Sequence, residues 1–306
     1  MGKCANNQIL DCLIIGAGPA GLTAAIYLAR YRRQIRVLDA GQSRAALIPI
    51  THNYPGFPHG VSGAQLLTRL REQATRYGVH IQQGTVTTLS KQGNHFIASI
   101  DGDCVMATTV VLATGVMDNP PDIPDLREAT LSGCVRWCPI CDGYEVIDKN
   151  VAILAAAREC FKHALFLRTY TRQLTLFVQP GGDKLDSAER LKIAQASIML
   201  VEEPITQIRM TIGQQVTLHL TNGNEHSFDA LYPMLGCTPR TELAKSLGVR
   251  VDSNDELWVD AHQCTSIAGL YAAGDVVNAL NQMNVGTAHA AIAATAIHNV
   301  LKDNYR

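Results

Sequence analysis

Two groups of residues in this chain have types and spacing suited to chemistry. Gly16-Ala-Gly-Pro-Ala-Gly21 is a glycine loop of the kind that cradles a dinucleotide. Cys138-Pro-Ile-Cys141 separates two thiols by two residues, close enough to form and break a disulfide locally. Such exchange runs by thiolate attack on a disulfide sulfur through a mixed disulfide. Together the two groups describe electron flow between a bound cofactor and sulfur.

The elements around the loop fit that reading. Ile9–Ile15 is an apolar run of strand length, and the glycines follow at once. Residues 22–29 read as a helix and 35–38 as a second strand ending in Asp39. The acid falls about 20 residues after the glycines, which completes the dinucleotide fingerprint. Gly16 permits the tight turn, Gly18 lets a pyrophosphate approach bare backbone, and Gly21 lets helix and strand pack closely. The pyrophosphate would lie at the helix N-terminus, where free N–H groups and the macrodipole favour negative charge. Asp39 would accept hydrogen bonds from the adenosine ribose.

The chain has 306 residues, room for two domains of ordinary size, and its 47% hydrophobic and 17% charged composition can bury substantial cores. A net charge of −1 predicts no general affinity for nucleic acid or membranes. No apolar run reaches transmembrane length. The short N-terminal apolar run reads as the first strand rather than a signal peptide. Met1-Gly2 hints at myristoylation, but Asn6 stands where Ser or Thr is wanted. Nine cysteines with irregular spacing outside 134–141 point to a reducing cytoplasm, not a secreted disulfide framework.

Further along, 80–86 and His95–Ile100 look like strands of a β-meander, and 110–115 is a buried strand with a small-residue turn. Residues 119–124 are Pro-rich and form a candidate hinge. A second βαβ unit begins at 151–154, with its helix at 161–168 and its next strand at Leu174–Val178. The chain turns back near 236–240, reaches another strand and turn at 269–275, and ends in an Ala-rich helix over 288–301. This predicts an α/β, three-layer fold of two Rossmann-like dinucleotide-binding domains, the second inserted into the first. The expected boundaries are 1–117, 118–243 and 244–306.

At this point the chain resembles the low-molecular-weight thioredoxin reductases, from about residue 10 to about residue 300. The resemblance rests on Gly16–Gly21, Asn53-Tyr-Pro-Gly-Phe57, Ala113-Thr-Gly115, Cys138-Pro-Ile-Cys141-Asp-Gly143, 269–275 and the final helix. It implies FAD held by Gly16, Gly18, Gly21, Asp39, Asn53 and Asp275, with Gln282 and Met283 beside the isoalloxazine. An Arg often precedes that Gln in the family; here it is Asn281. The resemblance further implies a homodimer, domain rotation, Cys141 as the flavin-proximal thiolate, Cys138 as the interchange thiol and Asp142 as the proton-shuttling acid. The partner it implies is a thioredoxin-like protein or a small dithiol or disulfide.

Other readings of these residues stay open. A CxxC also binds zinc, although no second CxxC or His pair completes four ligands. With Cys134 the spacing becomes C-x3-C-x2-C, which suits three irons of a four-iron cluster. Inert buried thiols are a further alternative, and the remaining cysteines read as small core or surface residues. Where NADPH-using relatives carry G-x-G-x-x-A, this chain has Ala155-Ala-Ala157-Arg-Glu-Cys160. Its next strand leads into Val178-Gln-Pro-Gly-Gly182, with neither arginines for a 2′-phosphate nor an acid for a ribose. The expectation is therefore a member without conventional NADPH binding, with ferredoxin as donor or a second flavin in the NADPH-like domain. Arg30-Tyr-Arg-Arg33 is a candidate patch for an acidic ferredoxin, set against the simpler reading of cations completing a helix C-terminus. His289 and His298 read as packing or surface residues, His52 has no assigned role, and Asp183, Asp186 and Glu189 read as a solvated face. A dithiol oxidase using oxygen and a flavin-binding redox sensor are the rival functions.

Overall fold

The computed structural model describes residues 9–155, 160–179, 185–211, 213 and 215–305. The elements begin with β1 (Ile9–Ile15), α1 (Pro19–Arg30), β2 (Ile35–Asp39), α2 (Gly63–Arg76), β3 (Ile81–Gln83), β4 (Val86–Gln92), β5 (His95–Ile100) and β6 (Asp103–Leu112). There follow β7 (Val116–Asp118), α3 (Leu126–Leu131), α4 (Pro139–Asp142), β8 (Val151–Ala155), α5 (Cys160–Leu167), β9 (Leu174–Val178), α6 (Ser187–Gln195) and β10 (Met199–Val201). The chain closes with β11 (Ile205–Thr211), β12 (Gln215–Leu220), β13 (Glu225–Phe228), β14 (Ala230–Met234), β15 (Cys237–Pro239), α7 (Glu242–Lys245), β16 (Leu270–Ala272) and α8 (Met283–Val300).

The chain divides into two compact units. One comprises the chain up to Ala46, Gly63–Met117 and Thr238 onward; the other comprises Leu47–Ser62 and Asp118–Cys237. The segment 47–62, read from sequence as part of the first domain, groups with the second unit, and the return falls at 237/238 rather than 243/244. Residues 47–62 add no strand to a sheet: reciprocal Thr51–Val61 backbone bonds close them into a loop.

The first unit is an α/β Rossmann-like fold. Its sheet runs β3-β2-β1-β6-β5-β4, with β16 also on β6. Strands β3, β2, β1, β6 and β16 are parallel. Strand β6 is long enough to fork: residues 103–107 pair antiparallel with β5, and 110–112 pair with β16. Leu13, Ile14, Val110 and Val111 are fully buried, as expected of central parallel strands covered on both faces. The expected strand over 80–86 splits in two. Gly84, at φ +151°, turns the chain, so β3 joins β2 in parallel and the meander starts at β4. Helix α8 begins five residues before its expected start.

In the second unit a parallel sheet, β10-β9-β8-β14, is accompanied by a separate antiparallel sheet, β11-β12-β13. Tyr232, Ile153 and Leu176 fill one core; Phe177, Phe228 and Leu218 fill another. Asp186 is exposed, as expected of a solvated face, but Glu189 is not. They form a capping box on α6: Asp186 Oδ1 accepts from the Glu189 N–H, and Glu189 Oε2 accepts from the Asp186 N–H, each at 2.8 Å. Glu189 is buried as a result. Asp183 lies outside the described residues.

Candidate active site

The glycine loop is built by backbone constraints. Gly16 has φ +104°, and a Cβ on it would overlap the Ala113 carbonyl at the end of β6. A Cβ on Gly21 would overlap the Gly16 carbonyl, so helix α1 seats against the turn only with glycine there. Gly18 differs. It is the N-cap of α1, and a Cβ there would meet only the Ser43 hydroxyl, at 3.4 Å. Pro19 opens the helix without needing a donor, no side chain caps it, and its first turn holds no acid. The helix N-terminus therefore offers N–H groups and positive dipole potential to an anion.

A second helix end is drawn to the same place. A Cβ on Gly274 would stand 3.1 Å from the Ala20 Cβ, and one on Gly286 would stand 3.2 Å from the Gly274 Cα. These small residues bring α1, the turn bearing Asp275 and the first turns of α8 into close contact. Gln282 is the N-cap of α8 and Met283 its first residue. Asp39, at the end of β2, is well furnished with donors. Its Oδ1 accepts from the Ala17 and Gly41 N–H groups at 3.4 and 3.1 Å, and its Oδ2 meets Arg71 at 2.6 Å. Asp275 faces Arg44 at 3.5 Å. Sequence reasoning missed both arginines: Arg71 rides on α2 and Arg44 on a short turn after β2, and nothing local ties either to its acid. Sheet order changes direction between β1 and β6, the place where open α/β sheets bind nucleotides. The bare loop, the uncapped helix end and the acid on β2 fit the adenine-dinucleotide half of a flavin. Asn53 lies in the 47–62 loop of the other unit, where its Oδ1 accepts from the Thr51 hydroxyl at 2.8 Å.

The thiol pair lies in the second unit. Cys138 and Cys141 are joined by a disulfide, their Cα atoms 5.2 Å apart. Helix α4 is a single turn that includes Cys141, with Cys138 as its N-cap and Pro139 as its first residue. The Cys141 N–H donates to Cys138 Sγ at 3.1 Å, an interaction that favours negative charge on that sulfur. Gly143 ends the turn against the Tyr170 ring, with no room for a Cβ. Beside the disulfide, Ile140 and Tyr144 are exposed.

Asp142 follows Cys141 and is held from two sides. The Tyr232 hydroxyl donates to its Oδ1 at 2.7 Å, and Arg136 meets its Oδ2 at 3.2 Å. Burial pushes the carboxyl above the usual range; Arg136 and Tyr232 pull it back, and Glu145 pushes it up again. Tyr232 is fully buried on β14, and its hydroxyl is itself shifted upward by burial and by the Asp142 charge. Neither Tyr232 nor Arg136 stood out in the sequence; a tyrosine in an apolar run looks like core.

Other candidates are absorbed by packing. Arg30 bonds the Tyr77 hydroxyl. Arg33 is buried, donating to His298 Nδ1 and its carbonyl in the last turn of α8 and to the Lys302 carbonyl beyond it, so it is no docking cation. Burial pushes the Cys12 thiol up to about 12 and leaves it inert. Cys134 is a free, buried thiol, whereas Cys104, read as a plain core or surface residue, is disulfide-bonded. Burial lowers His289. In the altered second nucleotide loop Ala155 ends β8, and residues 156–159 and 180–182 lie outside the described residues.

Comparison with known proteins places these features. Residues 10–155 and 184–295 match the model of the pyridine nucleotide-disulphide oxidoreductase family, well over half the chain. Thioredoxin reductase from Mycolicibacterium smegmatis is 29% identical over 302 residues, covering 95% of this chain and 96% of that protein. Thioredoxin reductase from Aquifex aeolicus is also 29% identical, over 96% of this chain and 94% of its own length. The crystal structure of thioredoxin reductase from Streptococcus pyogenes superposes with a TM-score of 0.89 at 25% identity, covering 96% of this chain and 98% of that one. Among the described residues no helix is long and apolar enough to cross a membrane. The chain belongs to the pyridine nucleotide-disulphide oxidoreductase family and is a thioredoxin reductase-like oxidoreductase.

Proposed function

We propose that this chain is a FAD-dependent disulfide reductase that passes electrons through Cys138 and Cys141 to a disulfide partner. The observation that carries the reading is the Cys138–Cys141 disulfide with an acid adjoining it, in a chain that also builds a dinucleotide loop. Gly16, Gly18, Gly21, Asp39, Asn53, Asp275, Gln282 and Met283 are the residues that would hold FAD, and the flavin would supply two electrons to the disulfide. Cys138, once reduced, attacks the partner's disulfide as a thiolate. A Cys138–partner bond forms, the partner's S–S bond breaks, and the departing sulfur takes a proton from Asp142. Cys141 thiolate then attacks Cys138 Sγ, restores the internal disulfide and releases the second partner sulfur, which is protonated in turn. The net change is two electrons and two protons added to the partner. Exposed Ile140 and Tyr144 flank the disulfide and suit a protein partner of the thioredoxin kind, a small disulfide being the alternative. The working form is a cytoplasmic homodimer.

A second reading is favoured by one observation. In sequence, Ala155 and Ala157 stand where NADPH-using relatives carry the glycines that leave backbone bare for a pyrophosphate, and Glu159 brings an acid into the same motif. An enzyme without conventional NADPH binding draws electrons from ferredoxin or a second flavin, or runs in reverse as a dithiol oxidase passing electrons to oxygen. The deciding experiment is anaerobic. Flavins are released by denaturation, identified and counted; the intact protein is then titrated with NADPH while flavin absorbance is followed. One FAD per chain, bleached by dithionite and not by stoichiometric NADPH, supports the reading. Prompt bleaching by NADPH restores a conventional reductase, and protein without FAD sinks the flavin assignment. Oxygen consumption driven by small dithiols separates the oxidase from the reductase.

A further inference from the structure

Tyr232 is fully buried, and its hydroxyl lies within reach of two acceptors of one residue: Asp142 Oδ1 at 2.7 Å and the Asp142 carbonyl oxygen at 3.2 Å. Arg136 holds the other carboxylate oxygen, Oδ2, at 3.2 Å. Glu145, in the turn after α4, is the other charged group that acts on this acid. Glu145 Oε2 and Arg136 Nε are both buried without a hydrogen-bond partner, while the Arg136 and Asp142 side chains as a whole are half-buried.

The geometry points to Tyr232 and Arg136 as positioning residues for Asp142, a pair that assigns the exchangeable proton to Oδ1 and gives it a partner in both protonation states. The guanidinium faces Oδ2 and keeps that oxygen unprotonated, because a cation there is a donor only. When the carboxylate is charged, the phenol donates to Oδ1. When Oδ1 carries the proton, the same phenol oxygen accepts it and turns its own hydrogen to the Asp142 carbonyl. The protein thus loads and unloads a half-buried acid without stranding a donor or an acceptor. This rests on the proposal that Asp142 protonates the departing sulfur. Removing the phenol removes a charge-assisted bond from the carboxylate, and charge-assisted bonds are the stronger kind. The acid then gives up its proton at higher pH.

The test uses the flavin-loaded protein, reduced with dithiothreitol and desalted anaerobically, then mixed with hydroxyethyl disulfide, whose departing thiolate needs a proton. Ellman's disulfide, whose departing thiolate needs none, is the control. The wild-type rate with hydroxyethyl disulfide falls as pH rises through the range in which Asp142 loses its proton, a range raised above the ordinary carboxylate one; this limb is absent with Ellman's disulfide and absent in Asp142→Asn. Tyr232→Phe, which keeps the ring, moves the limb to higher pH. Arg136→Met moves it further the same way and is read independently should Tyr232→Phe fail to fold; Arg136→Lys brings it back. A Tyr232→Phe or Arg136→Met limb unmoved from wild type, with rates lowered equally at every pH, overturns the positioning role and leaves Asp142 as the acid. A limb that persists in Asp142→Asn overturns both.

Discussion

Two carboxylates in this chain each meet an arginine, yet their surroundings differ in kind. Asp39 receives two backbone N–H groups as well as Arg71, all of them fixed donors. Asp142 receives Arg136 and a hydroxyl, opposed by burial and by Glu145. Fixed donors on both oxygens suit a charged carboxylate, whereas a hydroxyl on one of the two serves an acid in either state. The first setting suits a residue that binds; the second suits one that trades protons.

Exchanging the two acids for amides tests that contrast most severely. Asp142→Asn is expected to slow exchange with hydroxyethyl disulfide by about a hundredfold, the scale of lost general-acid help, with flavin content unchanged. Asp39→Asn is expected to weaken flavin retention by about 1.5–3 kcal/mol, the worth of a hydrogen bond to a charged group, while thiol exchange in the reduced protein keeps its rate. Flavin content measured after dialysis and stopped-flow exchange rates report the two separately. The contrast fails if either variant shows the other's defect.

The glycines sharpen the same division between holding the fold and holding the ligand. Gly21→Ala drives a methyl into the Gly16 carbonyl and is expected to cost about 1–3 kcal/mol in the flavin-free protein. Gly18→Ala meets only Ser43 Oγ, so its flavin-free stability is expected to stay within about 0.5 kcal/mol of wild type. Its flavin retention falls all the same, because the methyl occupies the approach to the backbone, and Gly18→Val makes the loss nearly complete. Chemical denaturation with and without added FAD separates the two. A fully yellow Gly18→Val protein refutes the placement of the pyrophosphate.

What could be read from the sequence follows the range of the interactions. Gly16, Gly21 and Asp39 answer demands made within one βαβ unit, so their spacing betrays them. Cys138 and Cys141 are legible for the same reason, since four consecutive residues contain both sulfurs. Arg71, Arg44, Arg136 and Tyr232 act across elements: Tyr232 on β14 reaches Asp142 because the segment 134–136, just before α4, bonds alongside Leu231 of the same strand. Helix α8 was read late because Gly286 and Thr287 dilute its first turns, although Gly286 is what lets α8 approach Gly274. Glu189 misled because a charged residue in a polar stretch reads as solvated until its cap partner is placed.

The smallest expected effect is a dependence of stability on pH, and its sign is set by the direction of one shift. Burial raises the Asp142 carboxyl in the folded chain above its unfolded value. Between those two values the native state holds the proton more firmly than the unfolded state, so Asp142 makes stability fall as pH rises through that window. Above the window the penalty is complete; below the ordinary carboxylate range it is absent. Asp142→Asn cannot titrate and lacks this slope. Leaving the Arg136 charge without its partner sets a fixed offset between the two proteins. The difference in urea midpoint, variant minus wild type, therefore moves in the variant's favour as pH rises, whatever its starting value. Tyr232→Phe raises the carboxyl further and so carries the decline to higher pH than wild type. A midpoint difference that stays flat for Asp142→Asn, or moves the other way, would mean that burial does not hold the proton on Asp142 in the folded protein.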